Sequence, residues 1–107
     1  MQRTLARVLS VLLVTLSATS ASAQCTNEAI YVVGGNWCGP CHTLRSTLES
    51  LGVPYGYIEA VPNPYDQAAW DRIETRFHQR SIPILAIDLQ RFIVAPDINQ
   101  IRSFVCR

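Results

Sequence analysis

The chain has 107 residues, 49% of them hydrophobic, and its nine basic residues are all arginine against eight acids, for a formal charge of +1. That length suits one small domain and not two. Arg3 and Arg7 supply +2 of the charge, so the rest of the chain stands near −1 and offers no basic face for nucleic acid.

Met1 to Arg7 carries those two arginines and no acid, Val8 to Thr19 is apolar or small, and Ala21-Ser22-Ala23 is a small-x-small site. This is the layout of a secretory leader cleaved after Ala23, leaving residues 24–107 as one domain. The apolar stretch falls short of the roughly 20 residues a membrane span needs, so no stable membrane anchor is expected. Gln24 before Cys25 argues against lipid attachment there. An exported chain meets an oxidising compartment, the periplasm or the exterior, where its four cysteines (Cys25, Cys38, Cys41 and Cys106) can form lasting disulfides.

The elements follow in alternation. Ala29 to Val33 (AIYVV) reads as a buried strand running into a loop at Gly34-Gly35. Cys41, Leu44, Leu48 and Leu51 recur on one face of a helix that Gly52 stops. Tyr55 to Ala60 reads as a second strand. Asn63-Pro64 then predicts a capped helix through Gln79 with Ala69, Trp70, Ile73 and Phe77 inward, and His78, Arg72, Arg76 and Arg80 outward. Ile82 to Ile87 is an apolar run interrupted by Pro83, and Arg91 to Ala95 is a further short strand. Asp97 predicts the cap of a last helix through Val105 that turns Ile98, Ile101 and Phe104 inward. The order is β-α-β-α-β-β-α, an α/β sheet with flanking helices.

Residues 37–41 read WCGPC. Cys38 falls in the first turn of the first helix, where unpaired backbone N–H groups and the helix dipole favour a negative sulfur. Helix N-termini and C-x-x-C settings lower a thiol pKa from its usual value of about 8.5. Cys41 lies on the apolar stripe and is expected to face inward, with Cys38 near the surface. That asymmetry assigns roles: Cys38 attacks a partner's disulfide, and Cys41 then displaces the partner by closing the internal disulfide. No metal is expected, because a closed zinc site needs about four ligands and only His42 stands near the pair. His42 reads as a solvated helix residue, with tuning of Cys38 as its functional alternative. A purely structural bridge is disfavoured, since so short a loop gains little from closure. Pro83 inside a buried run suggests a cis Ile82-Pro83 bond at the strand's start, with the Ile82 backbone open to a partner strand beside Cys38.

With WCGPC at 37–41, SIPI at 81–84 and this element order, the chain resembles the thioredoxin-like superfamily across Cys25 to Cys106. The pentapeptide is similar to that of thioredoxins, and the compact length to glutaredoxins. The resemblance implies a minimal thioredoxin-like fold with a central mixed sheet, Cys38 as nucleophile and Cys41 as resolving thiol. It further implies that Trp37, Gly39, Pro40, Ile82 and Pro83 meet the substrate. Val32 stands where thioredoxins keep a buried acid, and their lysine is missing too, so the proton of Cys41 must go to water or another group. Where glutaredoxins carry a glutathione-binding turn, this chain has Ala95-Pro96-Asp97, and Asp97 is better read as a helix cap.

Cys25 and Cys106 sit at opposite ends of the domain, and termini of compact domains are often close. They are expected to pair as a structural disulfide, with a redox relay as the alternative. The whole reads as an exported thiol-disulfide oxidoreductase that reduces or exchanges protein disulfides as a monomer. It uses the redox-active Cys38-Cys41 pair with no bound cofactor. Its partners would be client proteins with disulfides and a reductant protein or small thiol such as glutathione. The competing class is a binding or metal-delivery module with a non-catalytic disulfide.

Overall fold

The computed structural model describes residues 25–106; the leader expected over residues 1–23 lies outside them. Seven elements appear in the expected order: β1 (Ile30–Gly34), α1 (Gly39–Ser50), β2 (Gly56–Glu59), α2 (Gln67–Phe77), β3 (Ile84–Ile87), β4 (Arg91–Val94) and α3 (Ile98–Val105). The four strands form one mixed sheet in the order β2-β1-β3-β4. β1 runs parallel to β2 and antiparallel to β3, and β3 is antiparallel to β4. This is the thioredoxin-like α/β architecture.

Strand alternation divides the core in two. Ile30, Val32, Leu85 and Ile87 face one way and pack with Leu44 and Leu48 of α1 and Ile101 and Val105 of α3. Val33 and Ile84 face the other way and pack with Ala69, Ile73 and Phe77 of α2. β1 and β3 are thus covered on both sides, which is why AIYVV and ILAI read as continuous apolar runs. Each such side chain removed from water contributes about 1.5 to 3 kcal/mol, offset by the entropy of ordering it.

Helix ends account for most departures from the sequence reading. α1 stops as expected at Gly52, whose φ of 71° suits glycine. Gly52 N–H donates to Glu49 O and Val53 N–H to Leu48 O, both at 3.0 Å, the paired bonds of a Schellman stop. Leu51 is the C-cap and only half-buried. α2 starts later than Asn63-Pro64 suggests: its N-cap is Asp66, which accepts from Ala69 N–H at 3.1 Å. Asn63 instead closes a turn by accepting from Tyr65 N–H at 2.8 Å, so two cap-type residues divide the turn and the cap between them. The helix ends at Phe77, because His78 adopts the left-handed conformation with φ 62°. Trp70 is half-buried and not a core residue. In α3, Asp97 and Gln100 form a reciprocal capping box, and the buried positions are Ile101 and Val105. Ile98, expected inward, is 52% exposed because it occupies the first position, beyond the sheet.

Candidate redox site at the mouth of helix α1

The site begins where β1 ends. Gly34 must be glycine, since a Cβ there would lie 2.8 Å from Cys41 Sγ. A second close approach occupies Gly35, where a Cβ would meet Val61 O and the Trp37 indole. Gly35 O accepts from Cys38 N–H at 3.0 Å, turning the chain into α1. Cys38 is the N-cap, in extended conformation (φ −89°, ψ 112°), and its Sγ accepts from Cys41 N–H at 3.2 Å. A sulfur in the place usually taken by a serine or aspartate oxygen is held against free amide donors at the positive end of the helix. Pro40 is tolerated because a first-turn residue has no helical N–H bond to lose.

Cys38 and Cys41 form a disulfide, with Cα atoms 5.2 Å apart. Cys41 is 1% exposed, as its place on the apolar stripe predicts. Cys38 is 5% exposed, which corrects the expectation that it stays near the surface. Its sulfur turns back over the first turn toward Cys41 and the Cys41 amide, and so points away from solvent. The surface at this end is supplied instead by Gly39 and Pro40, both exposed, and by Trp37, 43% exposed. Trp37 is held firmly: its Nε1–H donates to Val61 O at 2.6 Å, and its ring meets Trp70 edge-on with centroids 6.4 Å apart. Trp70 in turn donates from Nε1–H to Pro64 O at 2.9 Å.

The Ile82-Pro83 peptide bond is cis. Strand β3 begins one residue later, so Pro83 withholds no donor from the ladder. The β1–β3 pairing ends at Val33 with Ile84, and one further step along the register sets Pro83 across from Gly34. Pro83 is fully buried, Ile82 is half-buried, and Pro83 O accepts from Ala95 N–H at 2.8 Å. The strand end that carries Cys41's contact and the Ile82-Pro83 segment are therefore neighbours. His42 uses its Nε2–H on Asn36 O at 2.6 Å and so braces the loop before Trp37. Asp97 accepts from Gln100 N–H at 2.8 Å, a capping duty that engages its carboxylate.

A group that the sequence reading passed over lies beside this site on β2. Tyr57 O–H donates to Glu59 Oε1 at 2.8 Å, and Glu59 Oε2 accepts from Asn36 N–H at 3.2 Å. The Arg45 guanidinium sits over the Tyr57 ring, 3.9 Å from its centroid. Burial first, then the bond to the Glu59 carboxylate, pushes the Tyr57 phenol up to about 12, with Arg45 opposing. Arg45 itself is raised, chiefly by donating to Tyr55 O–H, which donates onward to Glu49. Alternation in YGYIEA already puts Tyr57 and Glu59 on one face; only the register of β2 against β1 shows that this face is the one holding Cys41.

At the other end of the domain, Cys25 and Cys106 form a second disulfide across 81 positions, next to a short antiparallel bridge between them. Thr26 N–H donates to Val105 O at 2.6 Å, and Glu28 and Arg91 form an ion pair close by. Cys106 is the C-cap of α3.

Fold and paired cysteines at a helix mouth define a redox domain of the thioredoxin-like superfamily. Similarity to known proteins narrows this. The Glutaredoxin family model matches residues 29–92, more than half of the chain, and the chain belongs to that family. Thioredoxin-1 of Drosophila yakuba is 38% identical over 48 residues, covering 45% of this chain and 44% of that protein, so the match spans less than half of this curated relative. The crystal structure of a glutaredoxin from Archaeoglobus fulgidus superposes with a TM-score of 0.56 at 11% identity, over 72% of this chain and 85% of that one. The family points to thiol-disulfide exchange in general, with disulfide substrates and glutathione or other reductants as partners.

Proposed function

We propose that this chain is an exported thiol-disulfide oxidoreductase that reduces or exchanges protein disulfides through Cys38 and Cys41. The observation that carries the reading is the Cys38 sulfur at the N-cap of α1, bonded to the Cys41 amide and paired with the Cys41 sulfur. The amide and dipole that hold the sulfur in the disulfide also favour its thiolate once the bond is reduced. The reduced Cys38 then attacks a client disulfide, and Cys41, three residues on and already in bonding range, attacks Cys38 and expels the client as a thiol. Reduction frees the Cys38 side chain to rotate outward past Gly39 and Pro40, the step that a site closed in its disulfide form requires. Trp37, Gly39, Pro40 and the half-buried Ile82 form the surface a client would meet, while Pro83, expected to meet the substrate too, is fully buried and set back from it. The reductant is a protein or a small thiol such as glutathione.

Reduction of insulin by the wild type and by Cys38→Ser tests the mechanism. Turnover in the wild type and none in the variant is expected; equal rates remove Cys38 from the reaction. Export from residues 1–23 is checked by sequencing the mature N-terminus from fractionated cells, where a start at Gln24 is expected.

The 5% exposure of Cys38 favours a second reading, a binding or metal-delivery module whose disulfide never opens. Equilibration of the purified protein with glutathione or thioredoxin separates the two. A couple that exchanges at physiological potentials supports the enzyme, and a disulfide that resists both supports the module.

A further inference from the structure

Cys41 poses a problem for any exchange reaction. The thiolate is the attacking species, so Cys41 must lose a proton, yet it is 1% exposed. On the face of β1 turned to Cys41 stand Gly34, against its sulfur, and Val32, and neither has a group to accept one.

The neighbouring strand does. β2 is parallel to β1, with Val32 opposite Tyr57 and Gly34 opposite Glu59. Residues paired across a sheet present their side chains to the same face, so Tyr57 and Glu59 lie on the α1 side, level with Cys41. Gly34 leaves a space there: a Cβ would lie 2.8 Å from Cys41 Sγ and 3.7 Å from Tyr57 Cε1, so the sulfur and the phenol ring border the same gap. From the ring, the hydroxyl reaches Glu59, which is exposed to solvent.

We propose that Tyr57 and Glu59 carry the proton away from Cys41 when it resolves the mixed disulfide. The proposal rests on reading Cys38 and Cys41 as an exchanging pair. In the step, the Cys41 thiol proton passes to the Tyr57 oxygen as the Tyr57 hydroxyl proton passes to the Glu59 carboxylate. The Cys41 sulfur forms its bond to Cys38, the bond from Cys38 to the client sulfur breaks, and the client leaves with that electron pair and is protonated from water. Two electrons have moved from the dithiol to the client, and Glu59 returns its proton to solvent. Tyr57 suits this because its phenol, raised to about 12, keeps its proton at working pH and can accept and donate in one motion. The charged and titratable groups around it are Arg45 from α1, Glu59 from its own strand, Glu49 through Tyr55, and His42 through the Asn36 peptide. Glu59 acts through Tyr57 and is a positioning residue in this sense.

The test isolates resolution in a single turnover. Reduced protein is loaded at Cys38 with 5,5′-dithiobis(2-nitrobenzoate), and release of the second nitrothiobenzoate by Cys41 is followed by stopped flow from pH 6 to 10. Glu59→Gln and Tyr57→Phe are expected to slow that release about a hundredfold at pH 7, at the low end of acid–base contributions. Their rates converge on the wild type near pH 10, where Cys41 ionises unaided, and Glu59→Asp keeps most of the rate. Tyr57→Phe retains the ring and its packing, so a purely structural effect would slow release equally at every pH. That result, or equal rates at pH 7, overturns the proposal. Failure of the wild type to load, or to release once loaded, overturns the exchange reading itself and is visible before any variant is compared.

Discussion

The two disulfides are the same bond placed in opposite circumstances. Cys38–Cys41 closes a loop of three positions at the start of a helix, where amide donors favour a charged sulfur and closure gains almost no chain entropy. Cys25–Cys106 closes 81 positions at the end of a helix, where the exposed carbonyls disfavour a thiolate and the loop-entropy model gives roughly 4 to 5 kcal/mol of stabilisation. A disulfide is made reactive or structural by what surrounds it, and under the function proposed above one small domain would hold each kind at opposite ends of its sheet.

That contrast can be broken most sharply by exchanging serine for cysteine in each pair. Cys38→Ser should lower insulin reduction by more than about a thousandfold, since the nucleophile is gone, while leaving the melting temperature within a few degrees. Cys25→Ser with Cys106→Ser should do the reverse, costing roughly 4 kcal/mol in a urea titration with the reductase rate of the folded fraction retained. If instead the double variant is inactive though folded, the second pair is a relay and the contrast fails. Gly34→Ala sharpens the first side: the added methyl meets the Cys41 sulfur at 2.8 Å and should cost about 1 to 3 kcal/mol, measurable by thermal melting, and slow the exchange. Asp97→Ala sharpens the second by uncapping α3, the helix that carries Cys106 to Cys25, with an expected loss of about 1 kcal/mol and no change in redox rate. The smallest effect concerns Tyr57. Its phenol is raised above the unfolded value of about 10, so the stability it contributes is complete below that pH and is lost as pH climbs toward about 12; Tyr57→Phe should flatten that part of the denaturation profile.

Much of this was legible in the chain itself. Periodicity placed all seven elements, and the helix stop at Gly52, the cap at Asp97 and the terminal pairing followed from local chemistry or chain geometry. What stayed hidden depends on contacts distant in sequence. Asn63 and Asp66 are equally good caps, and only the packing of Ala69 and Ile73 on the sheet decides between them. The stripe Cys41-Leu44-Leu48 correctly turned Cys41 inward, but it says nothing of the bond that draws Cys38 in after it. Trp70 has the spacing of a core residue and is instead tied to Pro64 and Trp37 at the rim. Tyr57 and Glu59 alternate visibly, but the face they share becomes meaningful only through pairing with β1.

The bare backbone at Gly34 has one more implication, for damage. A single methyl on Gly34 would already stand 2.8 Å from the Cys41 sulfur, which is 1% exposed, so atoms added to that sulfur find little room against β1. Oxygen atoms or an alkyl group fixed on Cys41 must part helix α1 from strand β1, so such lesions at this thiol will register first as a loosened fold and only afterwards as a lost reaction.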